Sequence, residues 1–188
     1  MRAFFCIPIP ELPAAAVQHI ADRLRSATGM RASWVPWQNY HITLRFLGEI
    51  DRDLVADLEE LCRDVGEAVA PFQCDLDHVG AFPAIEKAKV LWVGAPISAA
   101  FQTLASALSS GLLDLGFPQK KHASVIHTTL ARIKDRPDPT LPSVIADVNP
   151  IPPITLPMDQ IVVMESVLTP RGAVYTPLVT AKLVGVQT

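Results

Sequence analysis

Two short stretches of this chain have almost the same order of residue types: His41-Ile42-Thr43-Leu44 and His127-Thr128-Thr129-Leu130. Each sets an imidazole two positions before a hydroxyl, inside β-branched, apolar sequence that favours an extended backbone. Side chains alternate along a strand, so His41 and Thr43 share one face, and Ile42 and Leu44 point the other way. The same alternation separates His127 and Thr129 from Thr128 and Leu130. One His-x-Thr is the ordinary mark of a half-buried strand histidine. Two at matched places in one chain are harder to dismiss.

Imidazole titrates near neutral pH, so one ring can be neutral while its twin is protonated. That suits a reaction with a base on one side of a centre and an acid on the other. In-line displacement at phosphorus has this geometry, and each threonine hydroxyl can donate to a non-bridging phosphate oxygen. The nearest cations are Arg45 and Arg132. Arg45 follows the parity of His41 and Thr43. Arg132 lies five positions after His127, and reaches the same face only through a bulge or at the end of the strand.

Other uses of the histidines find less support. There is no HExxH, no His-x-His and no acidic residue at ligand spacing beside either tetrad, so a metal site is not expected. A serine hydrolase lacks its G-x-S-x-G elbow. His19 on a helix, and His78 and His122 at a strand edge and a loop, are read as structural or solvated.

The elements that must position the tetrads repeat as well. A strand from Phe4 to Ile9 and an amphipathic helix from about Pro13 to Thr28 precede the first. A strand from Val90 to Val93 and a helix from about Ser98 to Leu115 precede the second. Phe4 lies 37 positions before His41, and Leu91 lies 36 before His127. Each half reads strand, helix, His-x-Thr strand, which is the pattern of an internal duplication. Asp51 is expected to cap a helix running to about Val69, and Phe72 to Leu76 alternate as a strand. Seven prolines between Pro137 and Pro157 read as a long extended loop. Strands Gln160–Leu168 and Val174–Leu183, joined by a turn at Thr169-Pro170-Arg171-Gly172, complete a sheet.

At 188 residues and 49% hydrophobic, the chain is expected to form a single domain over 1–188. Sixteen basic residues against 19 acidic ones give −3, which argues against a broad basic surface coating duplex nucleic acid but allows a local phosphate pocket. Three cysteines, Cys6, Cys62 and Cys74, form no CxxC pair and read as core residues. No apolar run is long enough for a signal peptide or a membrane span, so a cytoplasmic setting is expected.

The residues resemble those of a known family along almost the whole chain. The matching stretches are Arg2-Ala3-Phe4-Phe5-Cys6-Ile7, Asn39 through Glu49 around the first tetrad, Gly80-Ala81-Phe82-Pro83, Val90-Leu91-Trp92-Val93-Gly94, His127 through Arg132, and Arg171-Gly172-Ala173-Val174-Tyr175. They are similar to the 2H phosphoesterases, and within them to the bacterial RNA 2′,3′-cyclic phosphodiesterases, also called 2′-5′ RNA ligases or LigT-like proteins. One departure is Ile126, where the family usually has proline. The resemblance implies an α+β, bilobal, pseudo-two-fold fold, with two antiparallel sheets meeting at a V-shaped cleft and helices outside. It implies hydrolysis of an RNA 2′,3′-cyclic phosphate end to a 2′-phosphomonoester, with no metal or nucleotide cofactor; no membrane and no protein partner are expected, and the chain is expected to be a monomer. Under the resemblance, His41 is the proton donor to the departing 3′ oxygen and His127 the base that activates water. Thr43, Thr129 and Arg132 hold the phosphate. The near-symmetry of the motifs does not itself say which histidine is the acid. Phe5 and Phe46 are candidates to stack on a terminal base, with core packing as the alternative. Ligation, the reverse reaction, and a non-catalytic RNA-end or nucleotide-binding module are the rival functions.

Overall fold

A computed structural model describes residues 1–119, 125–170 and 172–186. His122 and Arg171 lie outside these. The first half runs β1 (Arg2–Pro8), α1 (Glu11–Ala27), β2 (Ala32–Trp34) and β3 (His41–Glu49), and α2 (Val55–Ala68) and β4 (Phe72–Leu76) follow. The second half runs β5 (His78–Phe82), β6 (Val90–Ala95), α3 (Ala99–Asp114) and β7 (Ile126–Ile133), then α4 (Leu141–Val148), β8 (Ile154–Met158), β9 (Gln160–Thr169) and β10 (Gly172–Lys182). Two four-stranded sheets, in the orders β10-β9-β1-β3 and β2-β7-β6-β5, are antiparallel throughout, and β4 pairs with β8 separately. The fold is α+β, as expected.

The repeat of strand, helix and His-x-Thr strand is present: β1 pairs with β3 in one sheet as β6 pairs with β7 in the other. Strands β1 and β6 are flanked on both sides, and both read as nearly continuous apolar runs, residues 3–7 and 91–95 being buried. Helix α1 buries Ala14, Val17, Ile20, Ala21 and Leu24, and α3 buries Phe101, Leu104, Ala105, Leu108 and Leu112, each at helical spacing. One apolar cluster joins Phe5, Ile7 and Ile42 of the first sheet to Leu91, Val93 and Leu130 of the second. Both tetrad strands are therefore anchored from behind by the same core. The three cysteines are buried in it or beside it.

Local chemistry sets the helix ends. Ser98 caps α3, its hydroxyl accepting from the Phe101 N–H at 3.2 Å. At the other end Gly116 takes φ +83°, and the N–H groups of Gly116 and Phe117 bond back to Leu113 and Leu112, a closure that needs the left-handed conformation. Helix α1 begins at Glu11, ahead of Pro13, because a proline in the first turn loses no intrahelical bond.

Two expectations are corrected. Asp51 makes no capping bond; it precedes a short 3-10 turn at Arg52–Leu54, and α2 starts only at Val55. The proline-rich stretch is not one long loop. Pro142 sits in the first turn of α4, whose Leu141, Ile145 and Val148 are buried. Residues Ile154, Leu156 and Met158 alternate inward as β8, a strand paired on one side, in which Pro157 is tolerated.

Candidate active site

The two tetrad strands face each other across the junction of the sheets and line one cleft of about 470 Å³. His41, Thr43 and Phe46 come from β3, His127, Thr129 and Arg132 from β7, and Tyr175 from β10. The match between the walls extends to hydrogen-bond register. His41 and Thr43 stand opposite Pro8 and Cys6 of β1, and His127 and Thr129 stand opposite Gly94 and Trp92 of β6. Immediately after each threonine the register slips by one, which leaves Leu44 without a partner on β1 and Leu130 without one on β6.

These bulges decide which residue follows the threonine onto the cleft face. In β7 the slip brings Arg132 round to the side of His127 and Thr129, where it is exposed. In β3 the matching slip reverses the parity expected for Arg45. Phe46 takes the outward position at 57% exposed, while Arg45 is buried at 9% and donates from Nη2 to the Pro118 carbonyl. Phe5 is fully buried in the core and is not on the cleft wall. Of the two aromatics considered for stacking, the structure places only Phe46 at the site. Ile126 opens β7 as a buried residue opposite Ala95.

Each histidine is held by its own chain in the same way. His41 Nδ1 lies 2.7 Å from the Asn39 carbonyl, and His127 Nδ1 lies 3.2 Å from the Val125 carbonyl. A carbonyl only accepts, so Nδ1 carries the proton and donates in both rings. Nε2 is left as the nitrogen that takes or gives a proton. Aromatic rings fix both planes. Phe4 and Tyr175 pack on His41 at 5.0 and 5.3 Å, Tyr175 edge-on at 90°. Phe82 meets His127 edge-on at 4.9 Å, with Trp92 at 6.1 Å. The sequence spacing carried no signal for these four residues, although each lies in a stretch that carries the resemblance.

The aromatic surroundings also set the electrostatics. Burial holds both histidines below the usual imidazole range, partly opposed by the bonds to Asn39 and Val125. A charge on His41 is further disfavoured by His127 and Arg132, and one on His127 by Arg132. Repulsion between two rings is mutual, so protonating one disfavours protonating the other. Among the described residues, neither Thr43 nor Thr129 spends its hydroxyl on a protein hydrogen bond. The cleft thus offers an anion two imidazoles, the Thr43 and Thr129 hydroxyls and the exposed Arg132 guanidinium, while Arg45, which also lines it, is buried and donates to the Pro118 carbonyl. His19 lies on α1, outside the cleft, and His78 pairs with Asp77 at 2.6 Å on β5. Among the described residues no group of three or more metal-ligating side chains gathers, and no helix is long and apolar enough to cross a membrane.

A duplicated scaffold carrying one histidine-threonine pair on each wall of a shared cleft defines a two-histidine phosphoesterase. The model for LigT-like phosphoesterases matches residues 7–92 and again residues 93–175, with one tetrad in each match. The chain belongs to the LigT-like phosphoesterase family. It is 31% identical over 179 residues to a Thermotoga maritima protein named RNA 2′,3′-cyclic phosphodiesterase, covering 95% of this chain and 93% of that one. A protein of the same name from Archaeoglobus fulgidus is 29% identical over 178 residues, covering 95% and 98%. The crystal structure of TT0787 of Thermus thermophilus superposes with a TM-score of 0.80 at 28% identity, over 98% of this chain and 99% of that one. Escherichia coli LigT, solved with 3′-AMP, shares the fold at a TM-score of 0.74 and 24% identity, over 97% of each chain.

Proposed function

We propose that this protein hydrolyses RNA 2′,3′-cyclic phosphate ends to 2′-phosphomonoesters by paired-histidine acid-base catalysis. The observation that carries the reading is the pair of imidazoles lining one cleft, each with Nδ1 tied to a backbone carbonyl and Nε2 left for chemistry. The RNA 2′,3′-cyclic phosphodiesterases that the chain matches over nearly its whole length support the substrate.

His127 Nε2 takes a proton from water as the water oxygen bonds to phosphorus. The bond from phosphorus to O3′ breaks, and His41 Nε2–H gives its proton to the departing oxygen. The products are a 2′-phosphomonoester and a free 3′-hydroxyl, and exchange with solvent resets both rings. The family resemblance supports this assignment of acid and base. Thr43 and Thr129 donate to the non-bridging oxygens, and Arg132 adds a charge-assisted bond to the same group. Each chain holds both histidines, so one copy suffices.

The test is to incubate the protein with an oligonucleotide ending in 2′,3′-cyclic phosphate and identify the product. A 2′-phosphomonoester is expected. A 3′-phosphomonoester overturns the assignment, and binding without turnover points to a non-catalytic module. Adding an oligonucleotide with a 5′-hydroxyl shows whether the site also runs in reverse.

A further inference from the structure

We propose that the β2 edge of the second sheet binds the phosphodiester backbone of RNA upstream of the reacting end, so that oligonucleotide ends are preferred to cyclic mononucleotides. This rests on the function proposed above and extends it to the class of substrate.

The register carries the argument. Strand β2 pairs with β7 beyond Arg132, with Ser33 opposite Arg132 and Ala32 opposite Ile133. The ladder continues one pair further, because the Lys134 N–H donates to the Arg31 carbonyl at 2.9 Å. By alternation Arg31, Ser33, Arg132 and Lys134 share the sheet face of His127 and Thr129, once the bulge at Leu130 is counted. All four are exposed. From Thr129 to Lys134 the strand covers roughly 15 Å, room for several successive phosphates.

At this edge the track meets a second cavity, about 440 Å³, lined by Arg25 from the last turn of α1, Thr28, Gly29, Arg31, Trp34 and Lys134, with the Asp138 carboxylate beside it accepting from the Gly29 N–H at 3.0 Å. Elsewhere Arg2 pairs with Glu49, Arg52 with Glu165 and Lys182 with Asp159, while Arg23, Lys87, Lys89 and Arg136 are exposed without an ion pair among the described residues. Arg31 does pair, with Asp135 at 3.2 Å. No described carboxylate comes within ion-pair distance of Arg25, Arg132 or Lys134. In a chain of net charge −3, Arg132 and Lys134 stand without an ion pair, in one line with Arg31, leading away from the phosphate site. Such a line suits a polyanion whose first phosphate is already in the cleft.

The experiment compares adenosine 2′,3′-cyclic phosphate with a hexanucleotide carrying the same end, using the full chain and its Arg25→Ala/Lys134→Ala and Lys134→Glu variants. The full chain is expected to favour the hexamer in kcat/KM by roughly tenfold or more at low salt. Both variants lose most of that preference while their turnover of the mononucleotide stays within about twofold. The slope of log kcat/KM against log salt for the hexamer flattens by roughly one unit in the double variant, from about 0.7 per lost phosphate contact. Equal kcat/KM for the two substrates in the full chain overturns the inference, as does an equal loss on both in the variants. A protein that turns over neither substrate refutes the function itself, and the upstream site with it.

Discussion

Leu44 and Leu130 are the extra residues of two equivalent β-bulges, unmatched on β1 and β6 respectively, each directly after the threonine of a His-x-Thr pair. Beyond each bulge one exposed side chain of the strand stands at the cleft, and here the walls part company: Phe46 on one, with Arg45 buried beside it, and Arg132 on the other. The asymmetry places the cleft's exposed positive charge beside His127. A pseudo-symmetric scaffold thereby acquires a direction, which a reaction with distinct entering and leaving groups requires.

Arg132→Ala is expected to lower kcat/KM for a cyclic phosphate by about 10²-fold, the scale of losing one charge-assisted bond to a transition-state anion. Arg132→Lys should recover only part of this, since a point charge replaces a two-pronged donor. Steady-state kinetics on a mononucleotide substrate checks both. Full activity in the alanine variant removes Arg132 from the site.

His41→Ala and His127→Ala should each reduce kcat by roughly 10²–10⁴. The double variant should fall well short of the product of the two losses, because the rings act as a unit. Circular dichroism establishes that the variants fold. Near-normal turnover in either single variant excludes that histidine from proton transfer.

Much of the site was legible because strand alternation and the repeated His-x-Thr spacing are local properties. The slip at Leu44 is not local. It is set by how β3 registers on β1, so Arg45 kept its apparent parity in the sequence while the folded strand turned it inward. Phe5 misled for a related reason: which face of β1 turns to the core is set by packing between the sheets, and it is Phe4, of the opposite parity, that lies on the side of His41. In the proline-rich stretch, composition pointed to a loop, yet Pro142 falls where a helix tolerates it and Pro157 where a strand paired on one side does. Tertiary position overrode the local signal in each case.

Hydrolysis should continue in excess EDTA and without ATP, because the described cleft gathers imidazoles, hydroxyls and guanidinium groups but no carboxylate or thiolate. The check is the initial rate before and after chelation. Loss of activity that one added divalent metal restores makes the histidines ligands instead.

Stability should fall as the solution is made acidic. Both histidines are held below their ordinary value in the folded chain, so between that ordinary value, about 6.5, and the folded values the unfolded chain binds more protons. Their contribution is fully present above about pH 6.5 and is lost as pH drops through the folded values. His41→Gln should flatten this part of a Tm-against-pH curve, and an unchanged slope contradicts the assigned burial effect.

The same electrostatics predicts the pH-rate profile. A neutral base and a protonated acid must coexist, so kcat/KM should be bell-shaped, and it reports the free protein. With both rings depressed by burial, and each further opposed by Arg132, the bell should be displaced to the acid side of histidine's ordinary value of about 6.5. The profile of kcat reports the substrate complex, in which the bound phosphate anion favours the charged imidazole. Its limbs should lie at higher pH than those of kcat/KM. The two apparent values belong to the pair, so assignment needs variants: His127→Ala should abolish the acid limb if His127 is the base, and His41→Ala the alkaline limb if His41 is the acid. The opposite pattern reverses the two roles, and a flat profile from about pH 5 to 9 removes imidazole proton transfer from the limiting step.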